Sequence, residues 1–251
     1  IRKDMSNLLE MFIFLCSAYT SVVRIAKRDT IDATICFFSM PVGPIGLLLQ
    51  QRLGVPYLVS LRGGDVPGLV PELALVHQAL TFFRRKILRN ATAVIANSSD
   101  LARHSRVSDP CPVVVIPNGV DTEYFKPSEK DNNNKLNLLC ISEFEERKGI
   151  QYLIKAIPGL IKLFPSIILR IIGSGKQKKY YEQLIIQLGI KDLVDIHASI
   201  NDTKPYLLMS DIYFLLSKGE GFPLGLLEAM SCGLPSIVSD NPPFNEIIDK
   251  S

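Results

Sequence analysis

The sequence has little of what marks secreted, metal-binding or membrane-spanning proteins. Its cysteines are odd in number, scattered and without a C-x-x-C pair: Cys16, Cys36, Cys111, Cys140 and Cys232. This usage excludes a structural zinc site and a disulfide framework, and it predicts a reduced, cytoplasmic protein. The chain begins at Ile1 and stops at Ser251, soon after a predicted strand, so we expect an incomplete segment of a longer chain.

Long apolar runs and a strong net charge are also lacking. A net charge of +3 is too small to indicate a nucleic-acid partner, and none is expected. The apolar stretch from Leu8 to Tyr19 is too short for a membrane span and predicts a packed helix. With 47% hydrophobic and 21% charged residues, the chain is globular.

A basic cluster lies near the end of a predicted helix, Gln78 to Arg89, and consists of Arg84, Arg85, Lys86 and Arg89. Such a cluster usually forms a solvated face that complements the helix dipole. The alternative is contact with anionic lipid. Together with the apolar helix at Leu8, it gives a weaker prediction of peripheral contact at the inner face of a membrane.

Strands and helices alternate twice along the chain. The first alternation has predicted strands at Ala33 to Phe38, Tyr57 to Leu61, Ala93 to Ala96 and Val113 to Ile116. The polar segment KPSEKDNNNK separates it from a second alternation that starts at Leu136. This predicts an α/β protein of two Rossmann-like, doubly wound domains facing a cleft. The domains are residues 1–127 and 136–251, with a linker at 128–135.

The most informative stretch runs from Ile212 to Asp240. It predicts a strand to Leu216, a loop, a helix from Leu224 to Met230 with Pro223 in its first turn, and a second strand from Ser236. Gly233 is expected to end the helix in a left-handed conformation. Ligands bind open α/β sheets at the carboxyl ends of strands, where this loop lies.

Two carboxylates mark this stretch: Glu220 in the loop and Glu228 in the helix. The helix N-terminus between them can bind a phosphate group, and carboxylates beside that site can accept hydrogen bonds from sugar hydroxyls. Taken singly, each residue is more often a solvated glutamate.

The segment GEGFPLGLLEAMSCGLPSIVSD resembles the E-x7-E donor-sugar motif of the GT-B glycosyltransferases, in particular the large retaining group called family 4. The segments VVVIPNGVDTEYFKP, RRKILRNATAVIANSSDL, GVPYLVSLRGGDVPG, ISEFEERKGIQYLIKAI and LRIIGSG are similar to the family in the same order. The resemblance covers nearly the whole chain from about Leu53 onward.

The resemblance implies transfer of a sugar from a nucleotide-diphosphate sugar, such as a UDP-sugar, to a hydroxyl of a sugar or lipid-linked acceptor, as in polysaccharide biosynthesis. It implies retention of configuration and neither a metal nor a cofactor. Lys148 and Glu220 would be catalytic together with Asp65. The implied donor-binding residues are Glu220, Gly221, Phe222, Leu224, Glu228, Lys148, Arg147, Gly173 and His197. The implied acceptor-side residues are Arg62, Gly63, Gly64 and Asp65.

Two positions depart from the family pattern. Glu143 stands where an arginine is common, and its charge would repel a diphosphate unless Arg147 compensates. Arg62 stands where a histidine is common, and it cannot accept a proton at neutral pH. These departures keep a second hypothesis open, a non-catalytic nucleotide-sugar-binding or degenerate scaffold protein. A third, a glycoside hydrolase using the two glutamates, conflicts with an anion seat between them.

Overall fold

The structure, a computed structural model, describes residues 8–129 and 135–248. The chain divides into two compact units, Ile1–Pro117 and Asn118–Ser251. This division lies ten residues before the predicted one at residue 127, because the segment after Asn118 packs on the second unit. Ser231 Oγ donates a hydrogen bond to Phe125 O, and Lys204 Nζ lies 4.4 Å from the Tyr124 ring centroid. Most of the predicted linker, residues 130–134, lies outside the described residues.

The first unit has a sheet of parallel strands in the order β1-β2-β3-β4. Its elements are α1 (Leu8–Arg28), β1 (Thr34–Phe37), α2 (Gly43–Leu53), β2 (Tyr57–Leu61), α3 (Ala74–Ala79), α4 (Thr81–Asn90), β3 (Ala93–Ala96), α5 (Ser99–Ser108) and β4 (Val114–Val115). One face carries the buried core, with Cys36, Val59 and Val94 packed beside Ile87 and Leu101. On the opposite face Ile35, Phe37 and Val114 are about half exposed.

The predicted helix at Leu8 is confirmed as a packed helix and extends to Arg28. Its residues Tyr19 and Val22 pack against Ile45 and Leu49 of α2. No helix in the described residues is both long and apolar enough to cross a membrane.

The prediction for the basic cluster was wrong at Arg84. Residues 78–89 are not one helix, because the chain bends between α3 and α4. The bend turns Arg84 inward, where its Nε lies 2.6 Å from Asp109 Oδ2 and its Nη1 donates to His77 O at 2.9 Å. Arg85 shares the same carboxylate at 3.3 Å, whereas Lys86 and Arg89 are exposed.

The second unit contains parallel strands in the order β7-β6-β5-β8-β9. Its elements are β5 (Leu136–Ile141), α6 (Ile150–Leu160), β6 (Ile167–Ile172), α7 (Lys178–Gln187), β7 (Val194–His197), α8 (Lys204–Leu208), β8 (Ile212–Leu215), α9 (Leu224–Ser231), β9 (Ser236–Val238) and α10 (Phe244–Ile247). Strands β6 and β7 extend the sheet on one side of β5, and the chain then returns to add β8 and β9 on the other side. The carboxyl ends of β5 and β8 therefore border a topological switch point, where such sheets bind ligands.

Buried apolar residues cover the second sheet on both faces. One cluster includes Leu138, Ile154 and Tyr181, and another includes Leu139 and Leu226. This explains why the strands are mainly apolar, with β8 apolar throughout.

Candidate functional site

Lys148 and Glu220 meet at the switch point of the second unit. Lys148 ends a 3-10 turn after β5, and Glu220 lies in the loop after β8. Lys148 Nζ donates to Glu220 Oε1 at 2.7 Å, and the two side chains are only 10% and 15% exposed. The structure thus brings together the two predicted catalytic residues of this unit as a nearly buried ion pair.

Gly149 explains how the two loops come so close. Its φ is +71°, and a Cβ there would lie 2.3 Å from the carbonyl oxygen of Leu216. A side chain at this position would push the Lys148 turn away from the end of β8. Only glycine fits both the left-handed backbone and the close approach.

Arg147 joins the same two loops from the exposed side. Its Nε lies 2.8 Å from Glu145 Oε2, its Nη2 lies 3.4 Å from Glu143 Oε2, and its Nη1 lies 3.4 Å from Gly219 O. The predicted compensation of Glu143 therefore has a geometric basis, since the two side chains form an ion pair. Both are more than half exposed, so the pair is worth little in stability.

The loop after β8 enters helix α9 through Phe222 and Pro223. Helix α9 begins at Leu224 as predicted, but Pro223 is extended (φ −76°, ψ 109°) and is the N-cap residue, not part of the first turn. Phe222 O accepts a hydrogen bond from Asn118 Nδ2 at 2.9 Å, which fixes the loop. Gly221 lies in the same loop, and Leu224, the first residue of α9, is half exposed. Gly233 has φ +76° after the helix, which confirms its predicted left-handed conformation.

Glu228, on α9, accepts a hydrogen bond from Thr203 Oγ1 at 2.9 Å. Glu220 and Glu228 both influence the pKa of Tyr213, which is buried beneath the start of α9. Burial, with smaller contributions from the Cys140 thiol, Glu228 and Glu220, raises the pKa of Tyr213 well above its usual value. Tyr213 therefore keeps its proton, and its hydroxyl lies 3.4 Å from Ile141 O.

The glycines after β6 hold two strand ends together. A Cβ on Gly173 would lie 1.9 Å from Ser142 O, and one on Gly175 would lie 2.6 Å from Phe144 O. The absence of side chains thus lets the ends of β5 and β6 approach closely, and the part of Gly173 in donor binding stays a prediction. A cavity of about 200 Å³ opens beside them, lined by residues that include Glu143 and Ser199.

His197 ends β7 beside this cavity. Its carbonyl accepts from Gly173 N at 3.1 Å, and its ring lies 5.9 Å from the ring of Tyr206. Its part in donor binding stays a prediction.

In the first unit, Asp65 is buried and bound to backbone. Its Oδ2 accepts from Ser39 N at 2.6 Å, and its Oδ1 accepts from Arg62 N at 2.9 Å. These bonds hold the loops after β1 and β2 together, a role that the sequence did not suggest. A catalytic role for Asp65 stays a prediction.

The other acceptor-side residues follow β2. The Arg62 guanidinium carbon lies 4.7 Å from the Phe37 ring centroid, and Gly63 has φ +108°. His77 Nε2 lies 3.2 Å from Gly64 O, and burial, aided by the nearby Arg84 charge, lowers the pKa of His77.

Sequence reasoning missed several residues that position the site. Asn118, Thr203 and Tyr213 were not selected, nor was Asn241, whose Nδ2 donates to Ser217 O at 3.2 Å. Asn118 carries the one sequence signal, since it stands in the Pro-Asn-Gly turn. The partners of the others depend on tertiary contacts.

Among residues 8–129 and 135–248, no group of three or more His, Cys, Asp and Glu side chains could hold a metal ion. The cationic side chains at the switch point include the nearly buried ammonium of Lys148 and the exposed guanidinium of Arg147.

The family model "Glycosyl transferases group 1" matches residues 121–251, and "Glycosyl transferase 4-like domain" matches residues 8–119. UDP-Gal:alpha-D-GlcNAc-diphosphoundecaprenol alpha-1,3-galactosyltransferase of Escherichia coli is 27% identical over 95% of this chain and 62% of its own length. The chain therefore spans less than two thirds of that relative.

Two solved structures have the same fold. Sucrose-phosphate synthase of Thermosynechococcus elongatus has a TM-score of 0.76 and 22% identity, over 94% of this chain and 63% of that chain. Anabaena HepE, in complex with UDP-glucose, has a TM-score of 0.74 and 22% identity, over 92% and 65%. With two parallel sheets and this family match, the chain belongs to the glycosyl transferases group 1 family and has the GT-B fold.

Proposed function

We propose that the second unit binds a nucleotide-diphosphate sugar at the Lys148–Glu220 pair and that the protein transfers the sugar, with retention, to a hydroxyl acceptor. The observation that carries the proposal is the pair itself, a nearly buried ammonium and carboxylate 2.7 Å apart. It lies at the carboxyl ends of β5 and β8, where doubly wound sheets bind ligands.

Lys148 would stabilise the leaving diphosphate. The reaction breaks the bond between the sugar carbon and the diphosphate oxygen and joins that carbon to the acceptor oxygen, whose proton passes to the departing diphosphate. Negative charge therefore develops on the diphosphate oxygen as it leaves. An ammonium already fixed at this position stabilises that charge without reorganisation. This supports a reaction without a metal ion and without a cofactor.

Glu220 and Glu228 would orient the two neutral parts of the donor. When the diphosphate of the donor pairs with Lys148, Glu220 loses its partner and can accept hydrogen bonds from the sugar hydroxyls. Glu228, held by Thr203 at 2.9 Å, would accept from the ribose. The donor would thus replace one ion pair by several charge-assisted hydrogen bonds.

We propose a UDP-sugar as donor and a lipid-linked sugar as acceptor, because the name of the Escherichia coli relative gives both. A GDP donor is the comparison to make, since a Xanthomonas oryzae relative, 26% identical over 81% of this chain, is named a GDP-mannose-dependent enzyme. We place the reaction in the cytoplasm, peripheral to an anionic membrane, in keeping with five unpaired cysteines and the basic helix α4.

The test measures donor binding and turnover separately. Thermal unfolding is followed with UDP or GDP in EDTA, for the wild type, Lys148→Met and the control Lys178→Met. Ligand at a hundred times its Kd should stabilise the wild type and the control by about 2.7 kcal/mol. We expect UDP to stabilise, GDP not to, and Lys148→Met to lose the effect. An unchanged UDP effect in Lys148→Met would overturn the site.

Turnover is then measured as UDP release from UDP-galactose with a diphosphoundecaprenol-linked GlcNAc acceptor, and NMR assigns the anomer of the product. An α-linked product from the α-linked donor supports retention. A β-linked product contradicts it.

A second candidate function, a non-catalytic nucleotide-sugar binder, is favoured by Glu143, an acidic residue that lines the cavity at the ends of β5 and β6. It predicts UDP binding without sugar transfer. Glu143→Arg would then strengthen UDP binding and leave transfer absent.

A further inference from the structure

The outer face of helix α4 combines exposed aromatic and cationic side chains. Phe82 is 74% exposed and Phe83 is 59% exposed, and their rings meet edge to face at 5.8 Å. Large exposed apolar groups beside one another are unusual on a surface that meets only water. A neighbouring apolar residue on α3, Leu75, is 79% exposed.

The helical period places cations on the same side as Phe82. Buried Arg84, Ile87 and Leu88 define the inner side of α4. Lys86 and Arg89 follow Phe82 by four and seven residues, so the three form one stripe on the outer side. Both cations are exposed.

A hollow of about 670 Å³ joins these groups on the surface. Phe82, Arg85, Lys86 and Arg89 line it. The side chain of Arg85 is 44% exposed and forms an ion pair with Asp109, which partly neutralises its charge.

The residues of α3 and α4 themselves carry no negative charge, and the Asp109 carboxylate that contacts Arg84 and Arg85 is buried. From Leu73 to Ser99 the sequence contains no aspartate or glutamate. A surface with an excess of positive charge attracts anions.

We propose that the outer face of α4 docks on an anionic lipid surface, with Phe82 and Phe83 inserted at the level of the headgroups and Lys86 and Arg89 on the lipid phosphates. Aromatic side chains favour the membrane–water interface, and basic residues beside them add attraction to acidic headgroups. A basic helix with an apolar edge lies in that interface without spanning it. The inference rests on the proposed function only for the peripheral position of the protein.

The experiment is vesicle co-sedimentation of the full chain without any nucleotide sugar, so its result is independent of donor binding and transfer. Vesicles of pure phosphatidylcholine are compared with vesicles containing phosphatidylglycerol. We expect binding to the anionic vesicles alone. Each cation removed should weaken binding about fivefold, so Lys86→Gln with Arg89→Gln should weaken it about twenty-five-fold. Phe82→Ser with Phe83→Ser should also release the protein at low salt.

The matched control lies on α6 of the second unit, where Tyr152 is 55% exposed and Lys155 is exposed. Tyr152→Ser with Lys155→Gln should bind vesicles like the wild type. Circular dichroism checks that every variant is folded. Equal binding to neutral vesicles, equal loss in the control, or no loss in the α4 variants would overturn the proposal. So would sedimentation equilibrium showing a dimer that Phe82→Ser dissociates, because a second copy would then occupy the face.

Discussion

The Lys148–Glu220 pair makes a sharp prediction about stability without ligand. Lys148→Met keeps an unbranched side chain but leaves the Glu220 carboxylate unpaired at 15% exposure. Breaking a fully buried pair destabilises by about 3–5 kcal/mol, mostly because one charge stays buried alone. Since this pair retains a little solvent contact, we expect the lower end, about 3 kcal/mol.

The double variant separates this cost from other effects. Lys148→Met with Glu220→Gln leaves no unpaired charge, so its stability should return to within about 1 kcal/mol of the wild type. The control pair, Lys178 with Glu182, lies at 3.8 Å and is half exposed. Lys178→Met should therefore change stability by less than about 0.5 kcal/mol.

The assay is urea unfolding followed by far-ultraviolet circular dichroism, because the sequence contains no tryptophan for fluorescence. Amide hydrogen exchange of β5 and β8 reports the second unit separately from the first. A Lys148→Met variant as stable as the Lys178→Met control would contradict a buried ion pair. So would a double variant whose loss equals the sum of the losses in Lys148→Met and Glu220→Gln, since additivity means no coupling.

Three further outcomes follow from the structure. Gly149→Ala should destabilise by about 1–3 kcal/mol and weaken UDP binding, because its φ is +71° and its Cβ meets a carbonyl. Gly189→Ala, at φ +68° in open space, should leave UDP binding unchanged; equal loss of binding would contradict this account. Arg84→Met should cost about 3 kcal/mol in urea unfolding, because it leaves the buried Asp109 carboxylate with only the longer contact to Arg85, at 3.3 Å; a cost near zero would contradict a buried ion pair. Burial raises the pKa of Tyr57 and of Tyr181 to about 12, above the unfolded value of about 10. The stability from these phenols is thus complete below about pH 10 and is lost as the pH rises toward 12. Tyrosinate absorbance that develops fully at about pH 10 in the folded protein would disprove it.

Hydrophobic pattern and glycine placement were enough to predict the strands. Tyr57–Leu61 and Leu136–Ile141 have the predicted bounds, because each is an apolar run with a single polar residue, Ser60 or Asn137, as expected for a largely buried strand of a parallel sheet. The loop and helix around Glu220 were predicted for a similar reason, since Gly233 and Pro235 leave few backbone options.

The boundary between the two units could not be predicted from hydrophobic pattern and glycine placement. The segment KPSEKDNNNK looks like a linker because it is polar, but the packing of Tyr124 and Phe125 decides to which unit residues 118–127 belong. Apolar residues in an irregular segment give no period from which their partner can be inferred.

Periodicity and turn residues act locally, so they were enough to predict the fold class, the order of elements and a candidate site at the strand ends. Tertiary structure alone decided which charges meet. Lys148 and Glu220 are 72 positions apart and Arg84 and Asp109 are 25 apart, so no local pattern links them. A charge is stable in the interior only beside its partner, and that partner is brought to it by the topology of the sheet.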